Sequence, residues 1–225
     1  MRVMLIGVAL LVGCGRWRFD EILVDDTRQS GATDAPEDAT VATYGDDGMA
    51  QYPNVARDTF ISLANPDVPY GSDPSLVLAG APATRALISF DISTIPRTAS
   101  VFSASLRLTS VQGPGPMGCA ARAYVLLEAW DENSATYNER SAGVLWTATG
   151  ALQPSSGPTV IGSVAVSATV TTSEMLLDRS IVEDWVRNPP TNFGVVLMAG
   201  CDVTITSREG TTLAERPVLT VTYLP

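Results

Sequence analysis

Glu128, Asp131 and Glu132 flank Trp130, and a pair of carboxylates is what glycoside hydrolysis requires, one as acid and the other as base or nucleophile. A catalytic pair must face across a bound sugar, whereas Glu128 and Asp131 are close in sequence at the end of a strand. Composition argues the same way. There is no His and no Lys, and all fourteen basic residues are Arg. The commonest general base and the commonest amine nucleophile are therefore both missing. The expectation is a protein that is not an enzyme.

Two other groupings offer chemistry short of catalysis. Asp131, Glu132 and Asn133, together with Asp91, are oxygen-rich and are candidate ligands for a structural Ca²⁺. No D-x-D-x-D-G loop supports them, and Asp46-Asp47-Gly48 falls in an acidic linker segment. The expectation is no cofactor, with a structural Ca²⁺ as the alternative. Sugar binding needs aromatic faces on which a pyranose ring stacks, with planar polar side chains at the rim. The candidates are Trp146, Tyr137, Tyr70 and Tyr124. Trp146 stands first because GVLWTATGA lies outside the alternating runs; its alternative is a partly buried loop anchor. Trp130 and Trp185 are expected to be buried and structural.

The elements that must position these residues are strands. Ala86, Ile88, Phe90 and Ile92 alternate with Arg85, Leu87, Ser89 and Asp91. Ala104, Leu106 and Leu108 alternate with Ser103, Ser105, Arg107 and Thr109. Val164, Val166, Ala168 and Val170 repeat the period of two, as do Leu219, Val221 and Tyr223. Gly, Pro, Ser and Asn clusters separate the runs. One helix is expected after Asp178 or Ser180, with Glu183 completing a capping box, Ile181, Val182 and Trp185 forming an apolar face, and Pro189-Pro190 as the stop. The fold class is all-β: a single antiparallel β-sandwich or jelly roll of about ten strands with one short helix.

The N-terminus, MRVMLIGVALLVGCG, reads as a lipoprotein signal peptide over residues 1–13. Arg2 gives the positive start, Val3–Val12 form an apolar run too short to span a bilayer, and Leu11-Val12-Gly13-Cys14 reads as a lipobox whose Cys14 thiol is lipidated. Residues 14–57 read as a lipid-anchored, acidic, disordered linker, with nine acidic residues against one Arg between Asp20 and Asp47. The domain then covers 58–225. With Cys14 consumed, Cys119 and Cys201 remain as an even pair, expected to form a disulfide in an oxidising compartment; two buried thiols are the alternative. The net charge of −10 argues against nucleic acid as a partner.

An ordered series runs through the domain: DTFI at Asp58–Ile61, RALISFDISTIP at Arg85–Pro96, ASLRL at Ala104–Leu108 and AWDENSATYNE at Ala129–Glu139. NFGVVL at Asn192–Leu197, SRE at Ser207–Glu209 and RPVLTVTY at Arg216–Tyr223 complete it. In order, spacing and residue type it resembles the DNRLRE-domain family, all-β modules of bacterial and archaeal surface proteins, some of them classed as carbohydrate-binding modules of polysaccharide-degrading enzymes. The resemblance makes Trp130-x-Glu132 a strand-to-loop junction, where the indole packs and the carboxylate orders the turn. It places Tyr137 where the family often has a packing Trp. It also implies a structural ion pair among Arg85, Arg208 and Glu209; an Arg offered to an acidic sugar is the alternative. The functional expectation is a non-catalytic lipoprotein of the cell envelope, facing the periplasm or the exterior, that binds a polysaccharide or surface glycan. Its rival is a structural or adhesive surface protein making protein–protein contacts, and a polysaccharide lyase or hydrolase ranks below both.

Overall fold

The alternating runs pair into two antiparallel sheets, each presenting one face to a shared apolar interior. The computed structural model describes residues 35–113, 119–166 and 169–225, so the lipobox and Cys14 lie outside the described residues. In chain order the strands are β1 Thr40–Gly45, β2 Ala56–Ser62, β3 Ser75–Leu78, β4 Thr84–Phe90, β5 Ser100–Gln112, β6 Cys119–Leu126, β7 Glu139–Ser141 and β8 Val144–Leu145. They continue as β9 Ser156–Val166, β10 Thr171–Leu176, β11 Val195–Ala199, β12 Val203–Thr206 and β13 Val218–Leu224. One sheet has the order β1-β13-β5-β12-β3, with β10 also paired to β5; the other has the order β2-β4-β11-β6-β9; β7 and β8 form a separate ribbon. The result is the expected all-β sandwich.

Period two explains the interior. Ala86, Ile88 and Phe90 of β4, Ala104, Leu106 and Leu108 of β5, and Leu219, Val221 and Tyr223 of β13 are all buried in one cluster between the sheets. The run through Val170 does not continue as read: β9 ends at Val166, and Val170 is exposed before β10 begins.

The helix α1, Arg179–Arg187, packs against β5 and adds Val182, Trp185 and Val186 to the core. Asp178 is its N-cap, accepting from the Ser180 amide at 2.9 Å. The capping box does not close, because the N-cap at Asp178 puts Ile181 at N3, and Glu183 pairs instead with Arg187 one helical turn on.

The linker reading is corrected in its C-terminal half. The folded unit begins at Ala35, not Asp58. TVATYG forms β1, registered with β13 from Thr40 against Tyr223 to Gly45 against Val218, and it buries Ala42 and Tyr44 completely. Two of the acidic residues that made this stretch read as unfoldable, Asp46 and Asp47, are themselves tied down. Asp47 accepts from the Met49 and Ala50 amides and from Arg107 at 2.5 Å. Burial alone would raise its pKa; the Met49 amide, Arg107 and the Ala50 amide outweigh that and hold the carboxyl below its ordinary range.

The excursion between β6 and β9 lies over the outer face of the second sheet. There Trp130, Ala135, Tyr137, Trp146 and Ala151 pack on Ile61, Leu87, Leu126 and Val196 as a second apolar cluster. That is why Leu87, on the nominally polar side of β4, has no exposed surface. The second sheet is thus covered on both faces.

Cys119 and Cys201 are joined in a disulfide, with their Cα atoms 6.4 Å apart. The bridge ties the start of β6 to the chain just beyond β11.

Candidate functional site

Of the four aromatic candidates, three pack against the fold and one, Tyr124, lies along a groove. Trp146 is buried at 4% exposure, and its Nε1 donates to the Thr136 carbonyl at 2.9 Å. The indole fills the second apolar cluster, so a loop context signalled an anchor and not a platform. Tyr137 is likewise buried and packs under Arg85. Tyr70 stacks on Phe60, with ring centroids 4.0 Å apart. Tyr124, half-buried on β6, lines a shallow groove with Leu152, Gln153, Pro158 and Met198. Trp130 and Trp185 are buried as expected.

The arginine–carboxylate reading divides. Arg208 Nε does pair with Glu209 at 2.9 Å, but Arg85 takes no part. As an odd residue of β4, Arg85 points to the outer face of the second sheet, where its guanidinium donates to the Gly150 carbonyl at 2.7 Å and to Tyr137 Oη at 3.2 Å. Gly150 has φ 72°, and a Cβ there would lie 2.3 Å from Arg85 Nη1, so this close approach requires glycine. Arg85 pins the excursion to the sheet.

The calcium candidates divide as well. Asp131 Oδ1 accepts from Ser134 at 2.6 Å, Asp91 Oδ1 accepts from the Ser93 amide at 2.9 Å, and Asn133 is exposed. Only Glu132 joins a carboxylate cluster, and its companions there are Asp58 and Glu209, with one oxygen of each within 4.8 Å of the others. Glu128, the remaining carboxylate beside Trp130, faces Arg140 and accepts from Ser155 at 3.2 Å.

The cluster is built by strand parity. On β2, Ala56, Asp58 and Phe60 share the inward face, so Asp58 enters the core at 1% exposure. Its Oδ2 accepts from the Arg208 amide, and its own amide donates to Glu132 Oε1, both at 2.8 Å. Arg208 Nη1 donates to the Ala56 carbonyl at 2.5 Å and lies 3.6 Å from Glu132, while Nε lies 3.6 Å from Asp46. Burial pushes the Asp58 carboxyl well above the usual range; the Arg208 amide opposes that, and the charges of Glu209 and Glu132 add to it. Glu209 is raised as well, by burial first, against the pull of Arg208. DTFI, AWDENSATYNE and SRE, three of the stretches that carry the family resemblance, meet here.

Beside this cluster opens a cleft of about 600 Å³, rimmed by Asn54, Arg57, Asp91, Glu132, Asn192 and Arg208, with Phe90 and Pro189 as apolar surface. Its rim is anchored. Asn192 Nδ2 donates to the Phe90 carbonyl at 2.9 Å, and its Oδ1 accepts from the Gly194 amide. Arg57 lies over the Trp130 ring, 5.5 Å from its centroid. Asn54, Arg57 and Asn192 were not singled out from the sequence. A carboxylate at the inward parity of β2 was the available signal for this end of the fold. Planar amides and guanidinia around a small apolar floor are suited to hydroxyl-rich ligands, whose hydroxyls pair with the rim while C–H faces rest on the floor.

The model of carbohydrate-binding module family 96 matches residues 50–223. That span includes every residue of the cleft and all three carboxylates of the cluster. No curated protein matches the chain.

Proposed function

The chain belongs to carbohydrate-binding module family 96, and from that premise we propose that it binds an extended polysaccharide at the end cleft, weakly and without cleaving it, as a module of the DNRLRE type. The observation that carries the reading is the cleft itself: a volume of about 600 Å³ with Asn54, Arg57, Asn192 and Arg208 presenting planar polar groups around Phe90 and Pro189. Open, solvated contacts of this kind offset little beyond association entropy, which sets the affinity at roughly micromolar to millimolar. The Arg rim suits acidic sugars at close range, while the net charge of −10 repels them at long range.

Arg57 is the side chain that separates binding from folding, because it is exposed and touches the protein through one ring face. Arg57→Gln is expected to weaken binding about tenfold while the melting temperature falls by no more than about 3 °C. Affinity electrophoresis of the full chain against neutral and acidic polysaccharides measures the first effect, and a thermal melt measures the second. Unchanged affinity in Arg57→Gln combined with lost affinity in Tyr124→Ala would move the site to the Tyr124 groove. Silence across the whole panel would favour the adhesive, protein-contact role, and release of oligosaccharide products would overturn the non-catalytic reading.

The module's place is proposed as the cell envelope, on a lipid anchor at Cys14. Mass spectrometry of the membrane fraction is expected to find diacylglyceryl on an N-terminal Cys14, and Cys14→Ala is expected to shift the protein to the soluble fraction. A mature chain that retains Met1 sinks the anchor without touching the cleft.

A further inference from the structure

Three carboxylates, from Asp46, Glu132 and Glu209, converge on the Arg208 guanidinium, and a fourth, that of Asp58, accepts from the Arg208 backbone amide. Arg208 does not satisfy them. Its Nε takes Glu209 Oε1 and its Nη1 takes the Ala56 carbonyl, which leaves Glu209 Oε2 buried and without a partner. Asp58 Oδ1, on a residue only 1% exposed, likewise receives no hydrogen bond from any N–H or hydroxyl, and the bond open to it is a proton shared with the Glu209 carboxyl. A buried carboxylate oxygen with no donor is among the more expensive groups a fold can hold. Here both residues belong to a set of three, with Glu132 as the third, that each bring one carboxylate oxygen within 4.8 Å of the others.

We propose that Asp58, Glu132 and Glu209 form a site for a divalent cation of calcium type. The chemistry fits a hard ion, since every donor is a carboxylate oxygen. The spacing fits as well. Oxygens bound to one Ca²⁺ at about 2.3–2.6 Å lie no farther than about 5 Å from each other, and one oxygen from each of the three residues satisfies the 4.8 Å limit. Asp58 Oδ1 and Glu209 Oε2 supply lone pairs that no N–H or hydroxyl of the protein uses, the ion taking the place of a proton shared between them, and Glu132 supplies those left after its bond from the Asp58 amide. Carbonyl groups and water would complete six to eight ligands.

The site differs from the Asp91, Asp131, Glu132 and Asn133 set expected from the sequence, sharing only Glu132. It joins β2, the excursion that follows β6, and the turn after β12, segments separated by 74 and 150 residues along the chain. Because Glu132 and Arg208 also rim the cleft, the cation would hold the cleft wall in place. The inference stands without the glycan reading, because its ligand is the metal alone.

The test is calorimetric titration of CaCl₂ into the full chain after chelator treatment, paired with thermal melting in chelator and in about 1 mM Ca²⁺. One Ca²⁺ is expected to bind per chain and to raise the melting temperature by about 5 °C or more, with Mg²⁺ at the same concentration doing less. Glu209→Gln keeps the side-chain shape and is expected to weaken Ca²⁺ binding at least tenfold, whereas Glu183→Gln on α1 leaves it unchanged. Asp58→Asn gives a second reading should Glu209→Gln fail to fold. No heat and no thermal shift in the wild-type chain would overturn the site, as would undiminished binding in both cluster variants. A Mg²⁺ shift equal to or larger than that of Ca²⁺ would overturn the assignment to a calcium-sized ion.

Discussion

Replacing Trp146 by alanine is expected to destabilise the protein by about 3–5 kcal/mol and to lower its melting temperature by on the order of 10 °C. The indole is 4% exposed and lies among Leu126, Trp130, Tyr137 and Val196, in the layer that seals the outer face of the second sheet. Truncation opens a cavity there that the excursion can only partly close. It also removes the donor from the Thr136 carbonyl, leaving a buried acceptor unpaired. The intrinsic affinity of the folded fraction for polysaccharide is expected to be unchanged at low temperature, since Trp146 does not border the end cleft. A thermal melt together with a binding isotherm decides the matter. An unchanged melt with binding lost would return Trp146 to the role of sugar platform that its loop context suggested.

That reversal shows where the sequence is legible. A period of two announces a strand whose faces differ, so β4, β5 and β13 could be read directly, and the inward residues Ile88, Leu106 and Val221 are buried where the pattern puts them. The same pattern cannot say whether the other face is wet. Leu87 and Val196 sit on that face, and they are dry because a segment with little regular structure folds over them. Sequence assigns such a segment to a surface loop, and its aromatics then look available. Composition failed in the opposite sense at β1. Averaged over residues 14–57, acidity outweighs six residues of TVATYG, although pairing with β13 needs only those six. The cleft was harder still. Asn54 and Arg57 lie around the start of β2 and Asn192 in a distant segment, brought together only because β2 begins and β4 ends near the turn that follows α1. Asp58 was the exception: its parity with Ala56 and Phe60 places a carboxylate in the core, and that anomaly marks this end of the sandwich.

The disulfide carries an expected effect of similar size. Removing it with Cys119→Ser and Cys201→Ser together is expected to cost about 4–5 kcal/mol in the chain-entropy account, because it closes a loop across a sequence separation of 82 residues. The two serines are small and half-buried at the rim of the core, so little of that loss comes from packing. Most of it arises in the unfolded chain, which regains the freedom that the bridge removes. The folded geometry already holds the ends together: β6 and β11 are registered up to Ala121 against Ala199, and the 6.4 Å Cα separation lies inside the roughly 7 Å that a disulfide can span. The double variant is therefore expected to keep its fold at low temperature and to unfold at a much lower denaturant concentration than the oxidised wild type. None of the side chains rimming the cleft belongs to β6 or β11, so polysaccharide affinity below the transition is expected to be untouched. Denaturant melts of the oxidised, reduced and double-serine forms, with thiol titration of the native protein, test this. Two reactive thiols in the native wild type would show that the bridge does not form. Coincident melts for all three forms would show that the bridge adds no net stability.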